Sequence, residues 1–205
     1  MIYLLSLLGV AVFAVTGVLA AGKRDMDIFS IVLIGVVTAL GGGTLRDLVL
    51  DTNPIFWIGD LSYLWAAVAA SLATFVAVRF VRLPAKLLLF ADACGLSLFT
   101  VLATESTLAL GFPAPVAVIM GVVTGIVGGM IRDIITGKMP LVMGREFYAT
   151  PSLLGAVLFV ILARYSPWHQ ADTLLACGFC LAFRSAAIHW GLYYPKLLTF
   201  QQKQP

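Results

Sequence analysis

Charge is what this sequence has least of. Only 11% of its 205 residues are Asp, Glu, Lys or Arg, while 61% are apolar; an ordinary soluble domain carries about 25% and roughly 45–50%. A chain of this length folded in water needs a polar surface that these residues do not supply. The mean hydropathy of +1.02 therefore points to lipid as the surrounding solvent. Histidine is scarce too. With only His169 and His189 available and no histidine cluster, neither a metal site nor any cofactor is expected. Cys94, Cys177 and Cys180 all lie in apolar runs. Their odd number gives no disulfide framework, and Cys177-x-x-Cys180 reads as packing at helical spacing. A formal charge of +3 is too small to imply nucleic acid. No G-x-S-x-G elbow and no His-Glu metal motif is present, so an enzyme is not expected.

What the chain does have is long apolar runs, near residues 2–22, 28–50, 61–81, 86–107, 113–136, 148–165 and 172–193. Each approaches the roughly 20 residues that span a bilayer as a helix, so the expected fold is an all-α integral membrane protein of seven transmembrane helices. The first run resembles a signal peptide ending at Ala20 and Ala21, but it lacks a basic leader and is read as a mature helix. Short polar breaks separate the runs, and none is long enough to divide soluble domains. Lys and Arg of short loops favour the cytoplasm. An outside N-terminus and inside C-terminus place Lys23, Arg24, Arg79, Arg82, Lys86, Lys138, Arg145, Lys196 and Lys203 inside, nine of 13 basic residues, with Arg164 as the exception. Trp57, Tyr63, Trp65, Tyr165, Trp168, Trp190, Tyr193 and Tyr194 sit near span ends as interfacial anchors.

An internal repeat organises the rest. A gapless shift of 86 residues superimposes Gly9 on Gly95, Phe13 on Phe99, Gly35-Val36-Val37-Thr38 on Gly121-Val122-Val123-Thr124, Gly42-Gly43 on Gly128-Gly129, Arg46-Asp47 on Arg132-Asp133 and Pro54 on Pro140. Each unit holds three spans, an odd number, so the second enters the membrane upside down relative to the first. The chain reads as one membrane domain: repeat one over 1–83, repeat two over 84–170, and a seventh helix with a short tail over 171–205.

The chemistry-bearing residues cluster in the second and fifth spans. Gly41-Gly42-Gly43 precedes Arg46-Asp47, and Gly128-Gly129 precedes Arg132-Asp133. Glycine serves close helix packing or a kinked, locally unwound helix lining a cavity; consecutive glycines in both repeats favour the second. An intramembrane Arg or Asp costs roughly 2.5–3.5 kcal/mol. Near span ends these residues can snorkel, but neighbours at i and i+1 do not face each other, so partners elsewhere are expected. Asp92 is the expected partner of Arg132. Its repeat counterpart is Ser6, so Arg46 needs another partner or water. With the repeats inverted, Arg46 and Arg132 fall about 20 Å apart along the membrane normal. Thr38 and Thr124 offer hydroxyl oxygens, or bond back to their own helices. Arg184, alone in the seventh span, reads first as a structural ion pair or lipid contact.

These residues resemble the prokaryotic branch of the trimeric intracellular cation (TRIC) channels, whose repeat unit is also labelled a glycine-transporter domain. The resemblance rests on Phe13-Ala14-x-x-Gly17, Thr38 through Asp47, Asp92-x-x-Gly95-x-x-x-Phe99 and Gly128-Gly129-x-x-Arg132-Asp133, and it spans nearly the whole chain. Val127 replaces the first glycine of the triplet in repeat two. The resemblance implies a homotrimer among membrane lipids, with a separate pore in each subunit conducting monovalent cations such as potassium. Kinked second and fifth helices would line that pore, through Thr38, Gly41, Gly42, Gly43, Arg46, Asp47, Thr124, Gly128, Gly129, Arg132 and Asp133. Phe13, Asp92, Phe99 and Arg184 would support or gate it. The absence of a long polar C-terminal tail suggests a prokaryotic plasma-membrane protein. The competing reading is a secondary transporter of a small zwitterion such as an amino acid, since inverted repeats are common in carriers and an Arg beside an Asp suits that ligand.

Overall fold

The computed structural model describes residues 1–22, 26–81, 84, 86–166 and 169–195, with the side chains of residues 169 and 170 excepted. Lys23, Arg24, Arg82, Trp168, Lys196 and Lys203 lie outside the described residues. Among the described residues eight α-helices follow in order: α1 (Ile2–Ala21), α2 (Ile28–Val49), the one-turn α3 (Phe56–Gly59), α4 (Ser62–Phe80), α5 (Leu87–Ala109), α6 (Ala114–Ile135), α7 (Ala149–Tyr165) and α8 (His169–Trp190). Six are long and apolar enough to cross a bilayer, and α7 is a shorter apolar helix of 17 residues, at the lower end of spanning length. These seven are the expected spans, although α8 begins about one turn earlier than the apolar run.

Helix ends follow local chemistry. The Asp27 carboxylate caps α2 by accepting the Ser30 backbone N–H at 2.8 Å, which holds its pKa below the usual carboxylate range. Proline sits in the first turn of α6, where its missing N–H breaks no helical bond. At the other end of α6, Gly137 takes φ +66, and its counterpart Asp51 takes φ +51 after α2. Both turns close alike: Thr52 N–H donates to the Asp47 carbonyl and Lys138 N–H to the Asp133 carbonyl, each at 2.8 Å. The 86-residue repeat is thus visible in the backbone as well as in the letters.

Burial is arranged for lipid. Phe80 is 82% exposed and Phe29 75%, whereas Thr16, Thr38, Ser71, Thr104 and Thr107 are fully buried. A hydroxyl buried among helices still needs an acceptor. Thr38, Ser71, Thr104 and Thr107 each find the carbonyl four residues back.

Helices α1, α2, α5 and α6 form the centre. On the outside, α4 packs against α1 and α2, α7 against α5 and α6, and α8 against α5 and α7. The two repeats meet through reciprocal contacts. Phe13 lies on Gly95 and Phe99 on Gly9, with the two rings 5.2 Å apart. A Cβ on Gly42 would overlap the Thr124 carbonyl oxygen, and one on Gly128 would overlap the Thr38 carbonyl oxygen. Each contact has its partner 86 positions away.

Candidate functional site

Because the central helices cross where glycine lets backbones touch, the charged pairs are carried to opposite ends of the bundle. Arg46 reaches Ser106 near the end of α5, and Arg132 reaches Asp92 near its start. Fourteen residues of α5 separate those two contacts, about 21 Å of helix, which matches the expected spacing.

The glycines do not open the backbone. Both α2 and α6 are continuous helices through Gly41–Gly43 and Gly128–Gly129, so the expectation of local unwinding is corrected. Gly42 and Gly128 serve the crossing of α2 over α6 instead, while Gly43 lies under Phe56 and Gly129 beside Asp92 and Tyr148. Thr38 and Thr124 are likewise turned to their own helices, donating to the Ile34 and Met120 carbonyls at 2.6 Å.

The pairing rule for neighbouring residues is corrected too. Arg46 binds its own neighbour, donating from Nε at 2.8 Å and Nη2 at 2.6 Å to Asp47 Oδ1. Arg132 Nε donates to Asp133 Oδ1 at 2.8 Å. Adjacent Cβ atoms do diverge on a helix, but the arginine arm is long enough to curl around to the next carboxylate. Each aspartate then uses its other oxygen to hold the following turn: Asp47 Oδ2 accepts the Phe56 N–H at 2.8 Å and Asp133 Oδ2 the Leu141 N–H at 3.2 Å.

The ends differ where the repeat fails. Asp92 adds a second carboxylate to Arg132, with Nη1 to Oδ1 at 2.7 Å and both side chains fully buried. This is the expected pair. The resulting triad of Asp92, Arg132 and Asp133 carries formal charge −1. Among the described residues, Arg132 Nη2 and Asp92 Oδ2 have no hydrogen-bond partner. At the other end Ser6 stands where Asp92 would be. Arg46 turns to the Ser106 hydroxyl at 3.2 Å, its side chain stays 16% exposed, and the pair with Asp47 sums to zero. A cavity of about 230 Å³ lies beside it, bordered by Ser6, Gly43, Tyr63, Phe99 and Ser106. Gly41 faces elsewhere, bordering an apolar hollow with Leu45, Trp57 and Ile131.

Arg184 is paired, as its structural reading expects. It is fully buried, donates to the Phe147 carbonyl at 2.9 Å and to Glu146 Oε2 at 3.0 Å, and lies 4.9 Å from the centre of the Tyr148 ring. Ser106 and Tyr148 were not singled out from the sequence. Ser106 aligns with Ala20 and Tyr148 with Ser62, so the repeat carries no signal at either. Cys177 and Cys180 are free and buried, as packing side chains.

Comparison with known proteins gives this geometry a family. A family model described as glycine transporter matches twice, over residues 3–79 and 89–164, in step with the repeat. The chain is 39% identical to the UPF0126 inner membrane protein YadS of Escherichia coli (strain K12), over 95% of each chain. It is similar to the crystal structure of a TRIC trimeric intracellular cation channel orthologue from Rhodobacter sphaeroides, at TM-score 0.89 and 38% identity, covering 93% of this chain and 98% of that one. A second structure, described as a basis for conductance through TRIC cation channels, matches at TM-score 0.85 and 31% identity, covering 97% and 98%. These relatives are membrane proteins and channels, not enzymes. Repeat, helix order and buried charges together make this chain a multi-pass membrane protein of the prokaryotic TRIC family, the family that the glycine transporter model and the UPF0126 relatives describe.

Proposed function

We propose that the protein is a cation channel that passes monovalent ions, potassium among them, through each subunit between α1, α2, α5 and α6. The path begins at the cavity beside Arg46, narrows at Phe13 and Phe99, and ends at the Arg132 triad. The Thr38, Gly42–Gly43, Arg46–Asp47 stretch of α2 and the Thr124, Gly128–Gly129, Arg132–Asp133 stretch of α6 form its walls, with Asp92 beside them and Gly41 turned away from it. Likeness to structures described as TRIC cation channels supports this reading. The observation that carries it is electrostatic. Each arginine that would repel a cation is tied to the aspartate next to it, and the second end keeps an excess carboxylate.

The same reading includes a homotrimer in a prokaryotic plasma membrane, the N-terminus outside and the C-terminus in the cytoplasm. It also divides the chain into repeat one (1–83), repeat two (84–170) and the seventh helix with its tail (171–205). Planar-bilayer recording of purified protein in asymmetric potassium chloride tests the channel. Unitary steps reversing near the potassium potential are expected, and reversal near the chloride potential overturns the cation reading. One observation favours the zwitterion carrier: a cavity beside Arg46 at one end and a sealed triad at the other resemble one state of an alternating-access cycle. Saturable, stereoselective uptake without unitary steps would select it.

A further inference from the structure

The C-terminal helix α8 is not part of the repeat, yet its one arginine reaches the second end of the bundle. Arg184 Nη1 holds the Phe147 carbonyl, Nη2 holds Glu146, and the guanidinium lies over the Tyr148 ring. The hydroxyl of the same ring and Asp92 Oδ1 each stand 3.2 Å from where a Cβ on Gly129 would be, with Arg132 Nη2 at 3.7 Å. Tyr148 therefore neighbours both Arg184 and the Asp92–Arg132 pair, and it is only 2% exposed.

The chain after α8 straps the same segment. Tyr193 pairs with Glu146 in an antiparallel bridge, Tyr194 N–H donates to the Arg145 carbonyl at 2.9 Å, and the Tyr194 ring rests 4.3 Å from Phe147. The Tyr194 hydroxyl also bonds Thr150. The first-repeat end is built differently. Ser62 and Asp60 occupy the positions of Tyr148 and Glu146, and the Phe56 ring, which has no hydroxyl, covers Gly43.

We propose that Arg184 is a positioning residue: with the strap of residues 191–195 it clamps Tyr148 onto the Asp92–Arg132 pair, so that the seventh helix holds shut one end of the pathway and only that end. The proposal names the regulation of the path proposed above and rests on that reading for its functional half. Opening this end requires Tyr148 to leave Gly129, and Tyr148 cannot leave without stripping the guanidinium of its ring and the Phe147 carbonyl of its donor.

The test uses the full chain and two readouts. Arg184→Met keeps most of the aliphatic stem and removes the guanidinium that makes the anchors. Amide hydrogen exchange is expected to accelerate about tenfold across residues 132–137 and 145–150, with residues 46–51 at the opposite end unchanged. In bilayers, open probability should rise about tenfold, equal to about 1.4 kcal/mol, with unitary conductance unchanged. Arg184→Lys, which keeps a cation over the ring, should restore most of both. Tyr148→Phe is milder and keeps the ring: faster exchange at 132–137 with 145–147 unchanged is expected. The clamp is overturned if exchange at 132–137 stays at the wild-type rate in both variants, or if residues 46–51 accelerate equally, which marks a global loss of stability. Accelerated exchange confined to the clamped end, in a protein that shows no unitary cation current, upholds the clamp and overturns the cation path instead.

Discussion

Replacing Asp92 by Asn tests the energetics of the buried triad. Asp92 and Arg132 are both fully buried at 2.7 Å, so neither has water to fall back on. Removing one partner of such a pair typically costs about 3–5 kcal/mol. Two features lower that figure. Asparagine keeps an oxygen that can accept from Nη1, and Asp133 still neutralises Arg132 from 2.8 Å. What is lost is the charge on one hydrogen bond, the difference between about 1.5–3 kcal/mol for a bond to a charged group and about 0.5–1.5 for a neutral one, about 1–2 kcal/mol. At about 2–4 °C per kcal/mol for a chain of this size, Asp92→Asn should melt about 2–8 °C below wild type. The control is Asp27→Asn, which removes the same charge from an exposed N-cap where asparagine caps equally well. The Asp27 pKa is depressed, so its ionised cap is fully present above the ordinary carboxylate range and is lost only as pH falls through the lowered value. Both variants should therefore be melted near neutral pH, following monodispersity by gel filtration. Equal melting temperatures would refute the idea that the triad is held by the charge of Asp92.

The glycine triplet should not behave as a unit. Gly42→Ala drives a methyl into the Thr124 carbonyl oxygen, a backbone atom that cannot turn aside, and overpacking of about 1–3 kcal/mol should outweigh the gain of about 1 kcal/mol in helix propensity. Gly41→Ala meets only the far end of Ile131 at 2.9 Å and should stay within about 1 kcal/mol of wild type; equal melting temperatures for the two would reject the crossing as the reason for the glycines. For the proposed orientation, a cysteine at Asp27 should be shielded from an impermeant thiol reagent in intact cells while one at Ser62 is labelled. The reverse pattern would invert the topology.

Much of this was legible in the letters for one physical reason: lipid makes charge and backbone exposure so costly that their positions carry meaning. Arg132 demanded a buried counter-charge, and Asp92 was the acidic residue that the inverted topology brought to its end. The glycines were legible as important but not in their role, since an opened helix and a tight crossing both require a missing Cβ. Only the partner atom decides between them, and the Thr124 carbonyl lies on another helix. The Arg46–Asp47 contact was misread because a rule about neighbouring Cβ directions ignores how far a guanidinium reaches. Tyr148 beneath Arg184 left no trace at all, since neither its repeat counterpart nor any periodicity marks it.

The reciprocal contacts of Gly42 with Thr124 and Gly128 with Thr38 make the interface between the repeats isologous, the kind that joins identical subunits about a two-fold axis. The chain is in that sense a dimer whose two members share one polypeptide, and synthesis delivers them one after the other. Once α1 and α2 have entered the bilayer, the Phe13 and Gly42 surfaces wait against lipid tails until α5 and α6 arrive. During that interval the exposed face is nearly complementary to itself, so the first halves of two nascent chains can pair in place of the proper partner. Position 6 works against the error. In such a pairing each Arg132 position is filled by Arg46 and each Asp92 position by Ser6, leaving both ends short of the carboxylate that the finished protein keeps at one.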